Sequence, residues 1–408
     1  MVGGVIQTQD RPVPDHVEPT YVVDWDYLKD PRLQIDPHGL YAKWTAEAPH
    51  EVVWTTANGG HWMILSNEAI VEALQTPELF SSKHTGIPPR PGAAKLIPEE
   101  LDPPEHTKYR SQLNKRLGPK MIKYFDGRAR AMANELIDRV QAAGKCDLMQ
   151  ALTIPLPCSL FLDMVGLPSE RTEEFVQWKD ELFQGSNNEI RIGAQQRINA
   201  YLEEAIALKR KDGGADDLLG YLVNEGRIDD EPITQADLMA YAFLFFIAGL
   251  DTVTATMTNC FHYIATHPGA QDKLLENRSF LIDFPEEILR RYSVVNSVRT
   301  ATRDFEWRGV QIKAEDQFVA GTAFANVDGK EFPDPLTVDF ERENNRHIGF
   351  GAGPHRCAGS HLARTELVAV MQEVLPRLPN LRLQPGTDLK YYAGGLIGLT
   401  ELPVEWDV

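Results

Sequence analysis

Apolar positions recur at helical spacing along most of this chain, with short alternating stretches between them. Residues 128–142 place Ala131, Met132, Leu136, Ile137 and Val140 on one stripe, which predicts an amphipathic helix. Residues 236 to beyond 257 are apolar nearly all round, so the helix they predict crosses the core instead of lying on the surface. Thr234 stands where its N-cap belongs, and Asp237 falls in its first turn. Two stretches depart from the helical period. Residues 54–65 (WTTANGGHWMIL) read as a β-hairpin turning at Asn58-Gly59, and residues 302–312 carry a second β pattern. Proline and glycine gather at the start, in 86–98 and in 332–335, in runs too short for an interdomain linker. The expected architecture is mainly α with small β-sheets, a single domain over 1–408.

Composition narrows the class. The 408 residues are 43% hydrophobic and 25% charged, ordinary for a globular chain able to bury a large core. A net charge of −18 argues against nucleic acid as a partner, because phosphate binding needs a basic surface. The four cysteines (146, 158, 260 and 357) are far apart and form no CxxC pair, so reduced thiols are expected. The first 17 residues hold no apolar stretch of signal-peptide type. The most apolar run, 242–250, meets Asp251 after nine residues, too few to cross a bilayer. A cytoplasmic, monomeric protein with no membrane or nucleic-acid partner is the expectation.

The densest chemistry lies in residues 347–364, HIGFGAGPHRCAGSHLAR. Glycines 349, 351, 353 and 359 surround Cys357, and a helical pattern resumes at Ser360. A cysteine where a glycine-rich loop enters a helix sits among free N–H groups at the positive dipole end, which favours thiolate. Glycines also let the backbone approach a bulky planar partner closely. A phosphate-cradling loop fits poorly, since GxGxxG spacing and a preceding apolar strand are both missing. A zinc site from His347, His355, Cys357 and His361 is conceivable by residue type, though the spacing of His355 and Cys357 is unusual for one. A plain buried cysteine is the default for a lone thiol.

The segment from Phe350 through Gly351, Gly353, His355 and Cys357 to Gly359 resembles the haem-binding signature of the cytochrome P-450 family. The resemblance extends from residues 54–62 to the carboxyl-terminal LPVEW, and implies the P-450 fold with a long central helix. Among branches it is similar to the bacterial camphor 5-monooxygenase group, through NGGHW (58–62), LDPPE (101–105), GLDTV (249–253) and ILRRYS (288–293). The implied cofactor is haem b, with Cys357 as the metal ligand. Thiolate donation favours O–O cleavage, hence monooxygenase chemistry with O2. A peroxide-driven enzyme and a non-catalytic haem sensor are the rival functions.

The resemblance also gives roles to individual residues. The family's acid–alcohol pair falls on Asp251 and Thr252: Gly249 would give room above the haem, Thr252 would orient dioxygen and water, and Asp251 would relay protons. The bland alternative is a helix kink, with Thr252 bonded back to the Ala248 carbonyl and Asp251 meeting a distant Lys or Arg. Both readings can hold together. Glu287 and Arg290 match ExxR, with Arg342 as third member of a structural network; Glu343 and Arg346 fit the same weak pattern. His106 and Arg110 match HxxxR and would meet one haem propionate, Arg299 and His355 the other. A solvated basic face is the alternative for the first pair.

Substrate and electron supply follow less directly. Between Asp102 and Phe125 six bases (Lys108, Arg110, Lys115, Arg116, Lys120, Lys123) face two acids, and Arg342, Arg346, Arg356 and Arg364 lie near the cysteine in sequence. Such a patch would steer an acidic donor. With no fused redox module, a [2Fe–2S] ferredoxin served by a ferredoxin reductase and NADH is expected. Camphor hydroxylases bond the substrate ketone through a tyrosine shortly before DPPE; here Ala94 stands there, and no tyrosine occurs between Ser81 and Lys108. Gly395 likewise replaces a branched residue. With Leu244, Ile247, Val295 and Leu396 as candidate walls, the expected substrate is an apolar, terpenoid-sized molecule bulkier than camphor, such as a norisoprenoid.

Overall fold

A computed structural model describes residues 12–89 and 95–408, apart from the side chain of Gln184. Helices dominate, and one six-stranded sheet takes strands from distant parts of the chain in the order Val22–Val23, Val52–Thr55, His61–Ile64, Gln317–Gly321, Asn296–Ala301 and Phe80–Ser81. The expected hairpin forms its heart. Val52–Thr55 pairs antiparallel with His61–Ile64, Trp54 opposite Trp62, with the indoles edge to face at 5.1 Å. Asn58 takes the left-handed conformation in the turn, at φ 55°. The second β pattern is a smaller hairpin, Phe305–Trp307 against Val310–Ile312, turning at Arg308 and Gly309, both at positive φ.

The helix expected over 128–142 runs instead over Pro119–Asp138. Pro119 opens it, since a first-turn proline sacrifices no helical bond. Its buried residues are Phe125, Ala129, Ala133, Leu136 and Ile137, while Ala131 is exposed and Met132 and Val140 are half-buried. The stripe was placed partly on the wrong side because small alanines carry little directional signal. Its partner is the helix Ser360–Val374, to which Arg130 ties it through Glu373 (2.8 Å) and Gln372 (2.7 Å).

The apolar helix is present, capped as expected by Thr234, whose hydroxyl accepts from the Asp237 amide at 3.1 Å. It comes in two pieces, Gln235–Ala248 and Thr252–Thr266. The whole span Gln235–Thr266, break included, is 32 residues, long and apolar enough to cross a membrane by composition. Half of the most apolar window is buried inside the fold, as in a core helix. The break at 249–251 is the first sign of something other than packing.

Candidate active site

Cys357 lies between a 3-10 turn, Gly353–His355, and the helix that begins at Ser360. Its amide donates to the Phe350 carbonyl at 2.8 Å, closing the loop. Gly353 has φ 68°, and a Cβ there would fall 2.2 Å from the Leu74 carbonyl oxygen. That glycine therefore lets the loop lie against the helix Asn67–Gln75, a different need from close approach to a planar partner. Arg364 stacks over the Phe350 ring at 4.5 Å and grips Glu286 at 2.6 and 2.8 Å. His347 also bonds Glu286, at 3.0 Å, and so does not turn toward the cysteine. Among the described residues no group of three or more His, Cys, Asp or Glu converges as a metal site would, which disfavours the zinc alternative.

Cys357 is exposed at the surface of the loop, yet burial is the largest influence on its thiol and pushes it up. The Gly359 amide and the Arg110 and Arg356 cations pull it down. The expected preference for thiolate is thus not met by the helix end alone. A cation on the sulfur deprotonates it outright.

The residues assigned to propionates do gather. His106 lies on the helix Glu105–Asn114, and its ring centre is 4.2 Å from that of His355. Both ring nitrogens of His106 and Nε2 of His355 are buried without partners among the described residues. Burial, then Arg299, His106 and Arg110, pushes His355 down to about 3, so it stays neutral. Arg299 is buried; its guanidinium donates to the Val298 carbonyl at 2.7 Å, and among the described residues no carboxylate forms an ion pair with it. Arg110 bonds the Arg356 carbonyl and Asn114. Orphaned imidazole nitrogens, beside two cations that no carboxylate pairs with among the described residues, fit the two carboxylates of a haem. Glu99, which sequence reasoning missed, is a half-buried acid within electrostatic reach of Arg299, Arg110 and Cys357, held above its ordinary value by desolvation.

At the helix break, both features of the bland alternative are found. Thr252 donates to the Ala248 carbonyl at 3.4 Å, and Asp251 pairs with Lys179, which also meets Asp180 at 3.0 Å. Burial holds Asp251 above its ordinary value, with Lys179 opposing. Lys179, on the helix Thr172–Gln184, had no local signature in the sequence. Gly249 differs from expectation. A Cβ there would lie 2.1 to 2.3 Å from the ring of Phe161, so this residue makes room for a phenylalanine.

The candidate walls partly meet. Val295 bridges Leu396, and the Asn296 amide donates to the Gly395 carbonyl at 2.9 Å. A Cβ on Gly395 would touch nothing within 4 Å. Leu244, Ile247, Val295 and Leu396 are each half-buried, while Phe245, Phe246, Val294 and Ile397 beside them are buried. Ala94 lies outside the described residues.

Glu287 and Arg290 form the buried pair on the helix Phe280–Arg291, at 2.7 and 2.8 Å, with Arg342 on Glu287 at 2.8 Å. The competing Glu343 and Arg346 fall in a turn, where Asn344 has φ 56°. The basic patch is thinner than its sequence suggested. Arg342 and Arg364 are spent internally, Lys108 pairs with Asp229, and Arg116 stacks on Tyr221 at 4.6 Å.

Comparison with known proteins agrees with this geometry. The cytochrome P450 family profile matches residues 50–406. A probable cytochrome P450 127A1 of Sinorhizobium fredii is 32% identical over 410 residues, covering 98% of both chains. A steroid C26-monooxygenase of Mycobacterium tuberculosis is 30% identical, covering 86% of this chain and 91% of its own. Among solved structures, CYP101J2 superposes with a TM-score of 0.89 at 29% identity, covering 98% of this chain and all of its own, and CYP101C1 with 0.88 at 27%, covering 97% and all of its own. The chain belongs to the cytochrome P450 family: it is a P450 monooxygenase, with haem b held through a cysteine thiolate as its cofactor.

Proposed function

We propose that this enzyme hydroxylates an apolar, terpenoid-sized molecule bulkier than camphor, with electrons from a separate [2Fe–2S] ferredoxin, its reductase and NADH. It is read as a single domain over 1–408, monomeric and cytoplasmic. The haem, when bound, supplies activation of O2 and insertion of one oxygen atom into a C–H bond. Cys357 would hold its iron, and His106, Arg110, Arg299 and His355 its propionates. Phe350 and Gly359 would frame the thiolate.

The observation that carries the reading is the break at 249–251 inside a buried helix. Asp251 spans interior and solvent: its side chain is 25% exposed while its partner Lys179 is 7% exposed. A carboxyl so placed can take a proton from water and hand it inward. Thr252 holds Ala248 with a bond at the long limit of the range, so its hydroxyl is free to turn toward another acceptor. The half-buried walls, with open space at Gly395, support a roomy apolar pocket without a tyrosine handle. CYP101C1 and CYP101J2 support the ferredoxin reading by likeness to the camphor branch. Spin-state titration with a terpenoid panel tests the substrate: a full shift with a norisoprenoid ketone is expected, and tight camphor binding with a full shift would sink the proposal. Turnover on hydrogen peroxide alone, unaffected by Thr252→Ala, would favour a peroxygenase instead.

A further inference from the structure

The helix break frees backbone carbonyls that must find other donors. The α ladder resumes only at Asp251, whose carbonyl accepts from the Ala255 amide at 2.8 Å. Just before it, the Leu250 carbonyl is taken by two side chains: the Thr254 hydroxyl at 3.2 Å and the Cys158 thiol at 3.3 Å. Cys158 sits on the helix Pro155–Val165 and is fully buried. Burial pushes its thiol up to about 12, so it keeps its proton and stays a donor at neutral pH. One turn along the same helix, Phe161 fills the space beside Gly249. A single helix therefore braces the break twice, by a ring against Gly249 and by a hydrogen bond onto the Leu250 carbonyl.

We propose that Cys158 and Thr254 form a clamp on the Leu250 carbonyl that sets the orientation of Asp251 and Thr252. Pinning that carbonyl fixes the peptide plane leading into Asp251, and with it the direction from which its carboxyl and the neighbouring hydroxyl approach their targets. Without the thiol, one modest hydrogen bond is lost from a segment that lacks its helical ladder, so the acid and alcohol spend more time misaligned. Cys158 is a positioning residue and touches no substrate. The inference rests on the reading of Asp251 and Thr252 as the proton-delivering pair.

Two measurements on the haem-loaded enzyme test it. In the infrared S–H stretching region, the difference between wild type and Cys158→Ser should show one band at the low frequency of a hydrogen-bonded thiol. During NADH oxidation with a norisoprenoid ketone as probe, Cys158→Ala should raise the peroxide released per NADH roughly two- to twelvefold, the span of one modest hydrogen bond. Cys158→Ser, which restores a donor, should return it toward wild type, and Thr252→Ala should raise it at least as far. A free-thiol frequency overturns the clamp. So do Ala and Ser variants that behave alike while Thr252→Ala leaks peroxide. If Thr252→Ala itself changes nothing, the acid–alcohol reading falls, and the positioning role with it; the S–H band still decides whether the contact exists.

Discussion

Replacing Glu287 with alanine removes the anchor of the most buried charge in the fold. Arg290 is fully buried, and Glu287 meets it twice, at 2.7 and 2.8 Å. The same carboxylate accepts from Arg342 at 2.8 Å, Asn345 at 3.2 Å and the Asp339 amide at 3.1 Å. Arg290 also donates to the carbonyls of Asn326, Pro335 and Thr337 at 2.7 to 2.9 Å. Those carbonyls keep it hydrogen-bonded but cannot neutralise it. Breaking a buried pair by removing one partner costs about 3–5 kcal/mol, because the remaining charge is left uncompensated. The loss should appear as a shift in the urea midpoint at unchanged slope, followed by tryptophan fluorescence on the haem-loaded protein. Because the network ties 333–342 to the helix Phe280–Arg291, it should also appear as faster haem loss. Glu287→Gln, which keeps the shape and loses the charge, should fall between. A loss below about 1 kcal/mol, the level of an exposed ion pair, would refute the reasoning.

Two further substitutions probe the interior. Gly249→Ala drives a methyl into the Phe161 ring and should cost about 1–3 kcal/mol by overpacking; Phe161→Leu in the same chain should recover most of it, a coupling visible in a double-mutant cycle of thermal midpoints. Glu366 is buried with one carboxyl oxygen unpartnered, and burial pushes it from 4.5 up to about 8. Between those values the folded state holds a proton that the unfolded chain has lost, so stability is full below about 4.5 and falls as pH rises, by up to about 1.4 kcal/mol per pH unit. Glu366→Gln should flatten that decline in urea midpoints from pH 5 to 8; an unchanged slope would mean that the acid ionises freely.

What the sequence discloses here is local chemistry, and what it hides is partnership across the chain. The hairpin was readable because Asn58-Gly59 dictates a turn and the flanking residues alternate. The cap at Thr234 and the apolar helix were readable for the same local reasons. The register of Pro119–Asp138 was not, since its buried face is set by the Ser360–Val374 helix some 240 residues away. The glycines of the cysteine loop stand out in the sequence, but Gly353 serves contact with Leu74, and in the central helix Gly249 serves contact with Phe161. Those reasons exist only in three dimensions. Lys179, Glu99 and Cys158 belong to the same class. Each acquires its meaning from a residue or cluster distant in sequence, so no pattern around it announces the role.

The central claim is that Cys357 ligates the haem iron through its thiolate, in a loop held by the Phe350 carbonyl and the Gly353 contact. The carbon monoxide difference spectrum of the reduced protein tests it most directly. Wild type should show the thiolate-type band, and Cys357→Ala should lose that band while its urea midpoint, measured without haem, stays near that of wild type. A Cys357→Ala protein that binds haem and keeps the thiolate-type band would contradict the assignment.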